Sequence, residues 1–463
     1  MKNPGKKGVF SFESYELNSE TKEARFNYRL TLPGKVYVFT ERLIFPKDKK
    51  WGKVPDSVLA AALQSIHLMA GVSYWKAYCP AKIEVRSSTL NKDQAKFWNK
   101  VYTSGLGEFF YRNKIDFRKL VNFPSFAKAL EGKPSIPKYQ VLGTKSLLLF
   151  GGGKDSYVSA ELMKKGKKPF DYFCLVTGKQ PESEIPKGAI IVRREIDPQL
   201  FALNRQGAFN GHVPISAIIA FVSELAALIY GYRYIIASNE RSADYGNLQY
   251  RGVAINHQWS KSLEFEKLFQ DYSRKYIAPG VTYFSLLRPF YEIKIIELFS
   301  RLGKKYFSRF MSCNANFKIN RVDADEAWQG WCGHCPKCAF VFAMLSVFIP
   351  KKKLVSIFGP KPPGAGRAGK NLFADKSLLP IYRELLGIRK FKPFECVGTS
   401  EEVKYAFSAA LAGGKYDGDA TIEMFLKEAK MSEREFGQIE KELFSTGKHL
   451  IPKEFRTIIP IYK

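Results

Sequence analysis

The chain has 463 residues, 45% of them hydrophobic, enough for two or three domains with cores of their own. Its 73 basic against 44 acidic side chains leave a net charge of +29, which calls for an anionic partner (nucleic acid, nucleotide or phosphorylated substrate) unless the scattered lysines only solvate the surface. Seven cysteines are too few for a secreted disulfide framework, and the cationic N-terminus has no apolar run behind it, so a reducing, cytoplasmic setting without signal peptide or membrane span is expected.

Residues 8–45 alternate apolar and polar ("FSFESYEL", "ARFNYRLTL", "KVYVFTERLIF"), the pattern of three antiparallel strands. Helical periodicity follows in "SVLAAALQSIHLMAGVSYWKAY" and "KDQAKFWNKVYTSGLGEFFYR", and "EGKPSIPKY" closes an N-terminal β-rich and helical domain expected over 1–140. From Ser146 short apolar runs ("SLLLF", "FDYFCLVTG", "AIIVRREI", "YRYIIAS") alternate with helices, which predicts an α/β, doubly wound, mostly parallel sheet over 141–357. The apolar helix from about Val213 to Tyr230 carries Ser216, Ser223 and Glu224 and reads as a core helix. A Gly/Pro-rich connection over 358–371 leads to a helical region, 372–463, with capping signals at Thr399 or Ser400 and at Ser432 with Glu435. Residues 351–370 hold six cations and no carboxylate.

Two motifs carry chemistry. In "LLLFGGGKDSYVSAELMKKG" a buried strand delivers a glycine turn onto a helix N-terminus, with Ser156 as its N-cap. Converging N–H groups and the helix dipole make such a place an anion site. A Walker A loop is excluded, because Leu148 occupies its leading glycine position and Asp155 follows Lys154; the dinucleotide fingerprint fails at Ser156. In the second motif Cys313 is followed by Cys332, Cys335 and Cys338 in a C-x2-C-x2-C run, a donor set for structural zinc, with iron–sulfur as the rival and His334 as a substitute donor.

The Gly-Gly-x-Asp-Ser turn after a first strand resembles the PP-loop family of ATP pyrophosphatases. That resemblance implies that Gly152, Gly153 and Ser156 cradle pyrophosphate, that Lys154 adds charge and that Asp155 holds magnesium; Gly151 stands where the family commonly has serine. A PP-loop with this cysteine run is similar to the family of 7-cyano-7-deazaguanine synthase. "NGHVPISA", "SNERSADYGN", "NHQWSKSLEFE", "WCGHCPKCAFVF" and "KPFECVGTSEE", with the N-terminal strands, resemble the MurL family of UDP-N-acetyl-α-D-muramoyl-L-alanyl-L-glutamate epimerases.

The resemblance implies a PP-loop (HUP-like) fold, ATP, Mg2+ and a UDP-MurNAc dipeptide substrate. It also implies groups near the loop that move the glutamate α-proton. Glu240, Asp244, His257 and Glu264 are the candidates, Glu240 and His257 first; Arg241, Arg251 and Lys261 are candidate partners for substrate carboxylates or diphosphate. The rival enzyme is a PP-loop protein that modifies RNA or a nucleobase. A thiolating enzyme of that kind would need a free cysteine near the loop, and Cys174 lies inside a predicted strand. A non-catalytic zinc protein that binds RNA leaves the glycine turn without a purpose.

Overall fold

Strict side-chain alternation makes the first stretch a meander. The strands β1 (Val9–Asn18), β2 (Glu23–Leu32) and β3 (Lys35–Ile44) pair antiparallel in chain order. Along β2, Ala24, Phe26, Tyr28 and Leu30 are fully buried while Arg25 is exposed, so one face of the meander builds core. The computed structural model describes residues 7–126, 139, 141, 143–178, 185–313, 330–359, 369–389 and 392–460.

Helices α1 (Asp56–Ala70) and α2 (Val72–Trp75) follow, joined at Gly71. A Cβ there would stand 2.3 Å from the Phe12 ring, so the glycine lets the helix approach β1. Among the described residues Asp56–Trp75 is the one helical run long and apolar enough to cross a bilayer, and most of it is buried inside the protein. A short strand β4 (Lys82–Val85) pairs parallel with β1. Then come α3 (Lys92–Gly105), opened by an Asn91–Gln94 capping box, and α4 (Gly107–Arg112).

The next stretch alternates β5 (Ser146–Leu149), α5 (Lys154–Lys165), β6 (Phe170–Thr177), β7 (Ile190–Glu195), α6 (Pro198–Arg205), α7 (Ile215–Tyr230) and β8 (Tyr234–Ala237). A hairpin of β9 (Leu248–Tyr250) and β10 (Val253–Ile255) precedes α8 (Leu263–Tyr276) and β11 (Thr282–Ser285). The large sheet runs β11-β8-β5-β6-β7-β3-β2-β1-β4. β5 lies parallel to both β6 and β8, and β6 parallel to β7. The chain thus moves outward through β6 and β7, then returns to the other side of β5 for β8. That reversal is where ligands gather in open α/β sheets.

The meander is not a sheet of its own: β3 pairs antiparallel with β7. Arg194 of β7 reaches Glu41 of β3 with two bonds, 2.7 and 3.0 Å, and Ser73 with a third, 2.9 Å. Guanidinium and carboxylate are both almost wholly buried, so the pair joins the two halves of the sheet where neither charge can return to water.

After β11 the described chain is helical: α9 (Glu292–Leu302), α10 (Pro336–Ser346), α11 (Lys351–Ile357), α12 (Leu379–Leu385), α13 (Ser400–Ala412), α14 (Ala420–Glu428), α15 (Glu433–Leu443) and α16 (Lys453–Arg456). The expected caps are present as full capping boxes, Thr399 with Glu402 and Ser432 with Glu435. α9 lies against α5, and α10 against α12 and α13.

The chain divides into two compact units. The first, Met1–Leu149, Lys168–Ile236 and Gln249–Phe284, holds the body of the sheet; the second, Phe150–Lys167, Ala237–Leu248 and Ser285–Lys463, holds α5 and the later helices. Most of "EGKPSIPKY" and most of the 358–371 connection fall outside the described residues.

Candidate functional site

The glycine turn belongs to the second unit. Gly152 has φ +73°, a conformation that glycine adopts without strain, and its carbonyl accepts from the Met311 N–H at 3.1 Å. One expectation is corrected here: Ser156 is not the N-cap. Gly153 caps α5, and Ser156, in the first turn, bonds back to the Gly153 carbonyl at 2.8 Å, because the third glycine already supplies the extended residue a helix start needs. A Cβ on Gly151 would meet nothing within 4 Å, and one on Gly153 would come no nearer than 3.9 Å to Met311 and Ser312. The fold itself therefore has room for side chains at both positions. The Ser312 hydroxyl is buried without a hydrogen-bond partner among the described residues.

Behind the turn sits a buried network of charge. Lys154, fully buried, bonds Asp155 at 2.7 Å and the Glu292 carboxylate. Lys337 bonds the same Glu292 at 3.3 Å and also the Cys396 carbonyl. Desolvation works against the ammonium of Lys154, but Asp155 and Glu292 outweigh it and hold its pKa above the ordinary lysine range. Desolvation pushes the Asp155 carboxyl up despite Lys154, and Glu292 and Glu240 add to the rise.

Glu402 accepts N–H bonds from Ile293 at 3.0 Å and Thr399 at 2.7 Å, and burial lifts its pKa to about 7. The Lys392 ammonium is buried without a hydrogen-bond partner among the described residues. Desolvation lowers its pKa against the pull of Glu402, Glu240, Cys396 and Glu292. Anionic and cationic groups are thus concentrated beside a helix N-terminus, an arrangement that can hold phosphate, a divalent cation and a carboxylate.

The segment after β8 adds to the same unit: Ser238 Oγ bonds Ser159 Oγ of α5 at 2.8 Å. Glu240 is buried, and its carbonyl accepts from Arg288 at 2.6 Å. Asp244 lies 3.7 Å from the same guanidinium. Arg241 sits over the Tyr291 ring at 4.4 Å and bonds Ser445 at 3.1 Å.

Cys313, Cys332, Cys335 and Cys338 converge, their sulfurs all within 4.8 Å of one another. The Cys313–Cys335 and Cys332–Cys338 separations are 4.0 and 3.6 Å, close to the roughly 3.8 Å edge of a tetrahedron with Zn–S of about 2.3 Å. Backbone N–H groups of Gly333 and Cys338 point at sulfurs 3.4 Å away, as thiolates require. The donor set fits zinc. Met311, two residues before Cys313, is bonded to the glycine turn, so the segment that leads into the cluster also backs that turn.

The first unit holds the other candidates. His257 bonds Glu108 of α4, and His212 Nδ1 lies 3.5 Å from the same carboxylate oxygen. Desolvation, with His257, Lys76 and Arg112 nearby, lowers the His212 pKa to about 3. Arg251 occupies the β9–β10 turn at φ +54°, followed by Gly252 at +77°, a type I′ pair. Lys261 is half-buried in the turn before α8, and Glu264 accepts from Trp259 at 2.5 Å and pairs with Lys100 at 2.8 Å.

The structure therefore gathers Asp155, Lys154 and Glu240 in one unit with Arg241 and the cysteines, and places His257, Arg251 and Lys261 in the other. Glu292, Lys337, Lys392, Glu402, Glu108 and His212 escaped the sequence reading. Lys392 and Glu402 do lie in "KPFECVGTSEE", a segment already singled out, and His212 in "NGHVPISA".

Sequence patterns describing the MurL N-terminal domain and the MurL C-terminal domain match residues 1–286 and 309–439. The chain belongs to the MurL family. Three curated relatives carry the name UDP-N-acetyl-alpha-D-muramoyl-L-alanyl-L-glutamate epimerase. The one from Xanthomonas oryzae pv. oryzae (strain MAFF 311018) is 37% identical over 87% of this chain and 86% of its own. That from Micromonospora sp. (strain ATCC 39149 / NRRL 15099 / SCC 1413) is 37% identical over 86% of each, and that from Salinispora tropica 36% identical over 86% of this chain and 84% of its own. The MurL resemblance carried by the N-terminal strands and by segments from "NGHVPISA" to "KPFECVGTSEE" thus falls in both matched domains.

Proposed function

We propose that this MurL-family protein is an isomerase that inverts the terminal L-glutamate of UDP-MurNAc-L-Ala-L-Glu, giving the D-isomer for peptidoglycan precursor synthesis in the cytoplasm. The observation that carries this is the match, along 86–87% of the chain, to relatives named for that epimerisation.

The physical obstacle is the α-hydrogen. Beside a carboxylate it is hardly acidic, because removing it places a second negative charge next to the first. Attack of that carboxylate on the α-phosphorus of ATP, with the α–β phosphoanhydride bond breaking and pyrophosphate leaving, would join AMP to it and remove the first charge. The turn at 151–156 would grip the nucleotide's phosphates through its N–H groups. The open space at Gly151 and Gly153 and the unpartnered Ser312 hydroxyl support this. Lys154 neutralises phosphate charge, and Asp155 is the proposed ligand for Mg2+. Glu240 is the proposed proton carrier of this unit, and Lys392 the cation that receives the substrate carboxylate; Arg241, Arg251 and Lys261 are proposed contacts to the substrate's anionic groups. Zinc on the four cysteines would be closed by thiolates and serve structure alone. Water then releases AMP and the inverted product. For the rival nucleobase-modifying chemistry Cys174 offers no support: it is buried in β6 and desolvation pushes its thiol up to about 12.

The test is incubation of the full chain with ATP, Mg2+ and UDP-MurNAc-L-Ala-L-Glu in deuterated water, with chiral analysis of the glutamate. D-Glutamate with α-deuterium is expected only when ATP is present; equally fast deuterium entry without ATP overturns the adenylation step. Asp155→Ala is expected to lose AMP release while its circular dichroism matches the parent, and normal turnover in that variant removes the turn from the mechanism.

A further inference from the structure

Three separate stretches of the first unit bring ligand-forming side chains to one point: Glu108 at the start of α4, His212 ahead of α7, and His257 after β10. Local features aim each of them. A Cβ on Gly107 would meet the Ile255 side chain at 3.3 Å, so the glycine lets α4 approach the strand that leads to His257. Gly211, at φ +139°, turns the chain into His212. The Asn113 side chain at the end of α4 bonds the Asn210 carbonyl at 3.1 Å, and Lys76 bonds the Gly211 carbonyl at 2.8 Å, so the His212 segment is fixed from two sides.

The resulting geometry is that of a ligand set. The ligand-capable atoms of Glu108, His212 and His257 lie within 4.8 Å of one another, and the two imidazole rings are 4.6 Å apart at 49°. Arg112 Nε holds the other Glu108 oxygen at 2.5 Å, so Oε2 is the one turned to both rings. Glu108 is 7% exposed, while His212 at 17% and His257 at 14% leave a side open to solvent, through which an ion could enter.

We propose that Glu108, His212 and His257 form a site for a first-row divalent transition-metal ion, separate from the cysteine cluster. Two imidazoles and one carboxylate suit zinc, iron(II), cobalt(II) or manganese, and leave coordination positions open. Ligand atoms about 2.0–2.2 Å from an ion stand roughly 3 Å apart, so the 3.5 Å approach of His212 needs little change. His257 must exchange its bond to Glu108 for the ion, and its Nδ1 proton leaves on binding or moves to Nε2. The open positions, beside Arg112 and Lys76, would take an anionic oxygen ligand. As a metal ligand His257 would not carry a proton through Nδ1, which leaves proton transfer to other groups.

The probe is Co2+ alone. The full chain, its cysteine cluster zinc-loaded and loosely held metal removed with a chelator, is titrated with Co2+ by calorimetry and visible absorption. One equivalent should bind with weak ligand-field bands and no thiolate charge-transfer band. His212→Ala and His257→Ala should each weaken binding by about 100-fold or more with zinc content unchanged. Should His257→Ala fail to fold, His257→Gln keeps a partner for Glu108 and reads the same loss. No uptake by the parent at millimolar Co2+, a thiolate band, or equal uptake by both histidine variants would each overturn the proposal.

Discussion

At the scale of single residues the second unit is organised by unequal treatment of its lysines. Lys154 and Lys337 share the buried carboxylate of Glu292 as a hydrogen-bond partner. Lys392 has carboxylates nearby but no hydrogen bond among the described residues. A buried ammonium so placed costs several kcal/mol that a bound anion would recover. Lys392→Met should therefore raise the melting temperature while lowering epimerisation by about 100-fold, the size of a lost electrostatic contact to a reacting group. Parallel thermal melts and turnover assays check it; a variant with unchanged turnover would make Lys392 structural. The glycine turn could be read from six neighbouring letters, because strand, turn and helix start are contiguous. Glu292 and Lys337 could not, since Glu292 meets Lys154 from 138 positions away and Lys337 meets Glu292 from 45, distances that only the folded chain closes.

At the scale of elements, α7 shows what patterning conveys and what it omits. Its apolar run marked it as a core helix, and Glu224 within it is buried, bonded by Ser273 through one oxygen while the other has no partner among the described residues. Desolvation lifts its pKa to about 8, so the acid is protonated in the fold at neutral pH. The sign follows from linkage: between the ordinary carboxylate pKa and about 8 the folded state holds a proton the unfolded chain has released, so this residue's contribution to stability falls as pH rises through that window. Glu224→Gln, which does not titrate, should gain stability relative to the parent between pH 5 and pH 8, measured as the difference in melting temperature at the two ends. A parent and variant that track each other across the window would refute the assignment. The three ten-residue strands and both late capping boxes were legible because alternation and S/T-x-x-E are local signals. β4 and β11 were not, since "KIEV" and "TYFS" lack the continuous apolar run that marked the equally short β5 and β8, and only pairing with β1 or β8 defines them.

At the scale of the molecule, the α/β class and the helical C-terminal part followed from alternation of strand and helix, whereas the union of meander and parallel strands depended on one contact, β3 with β7, that no local pattern encodes. The cysteine cluster acts at this scale as well. It brings Cys313 to α10 across residues distant in sequence, so zinc bound there would add its affinity to the folding energy of the second unit. Cys335→Ser should lower bound zinc and melting temperature together; equal zinc content in variant and parent would contradict the assignment.

The division of the chain has a consequence for how the protein is made. The first unit has received its last stretch once Phe284 is synthesised, but the second borrows Phe150–Lys167 and Ala237–Leu248 from within it and waits for everything from Ser285 onward. On the ribosome the glycine turn therefore emerges well over a hundred residues before Glu292, the buried carboxylate that Lys154 bonds. A scission after Phe284 would leave every segment of the first unit on one fragment but divide the second unit's three segments between the two, and a nascent chain released there would carry the glycine turn without Glu292 and Lys337.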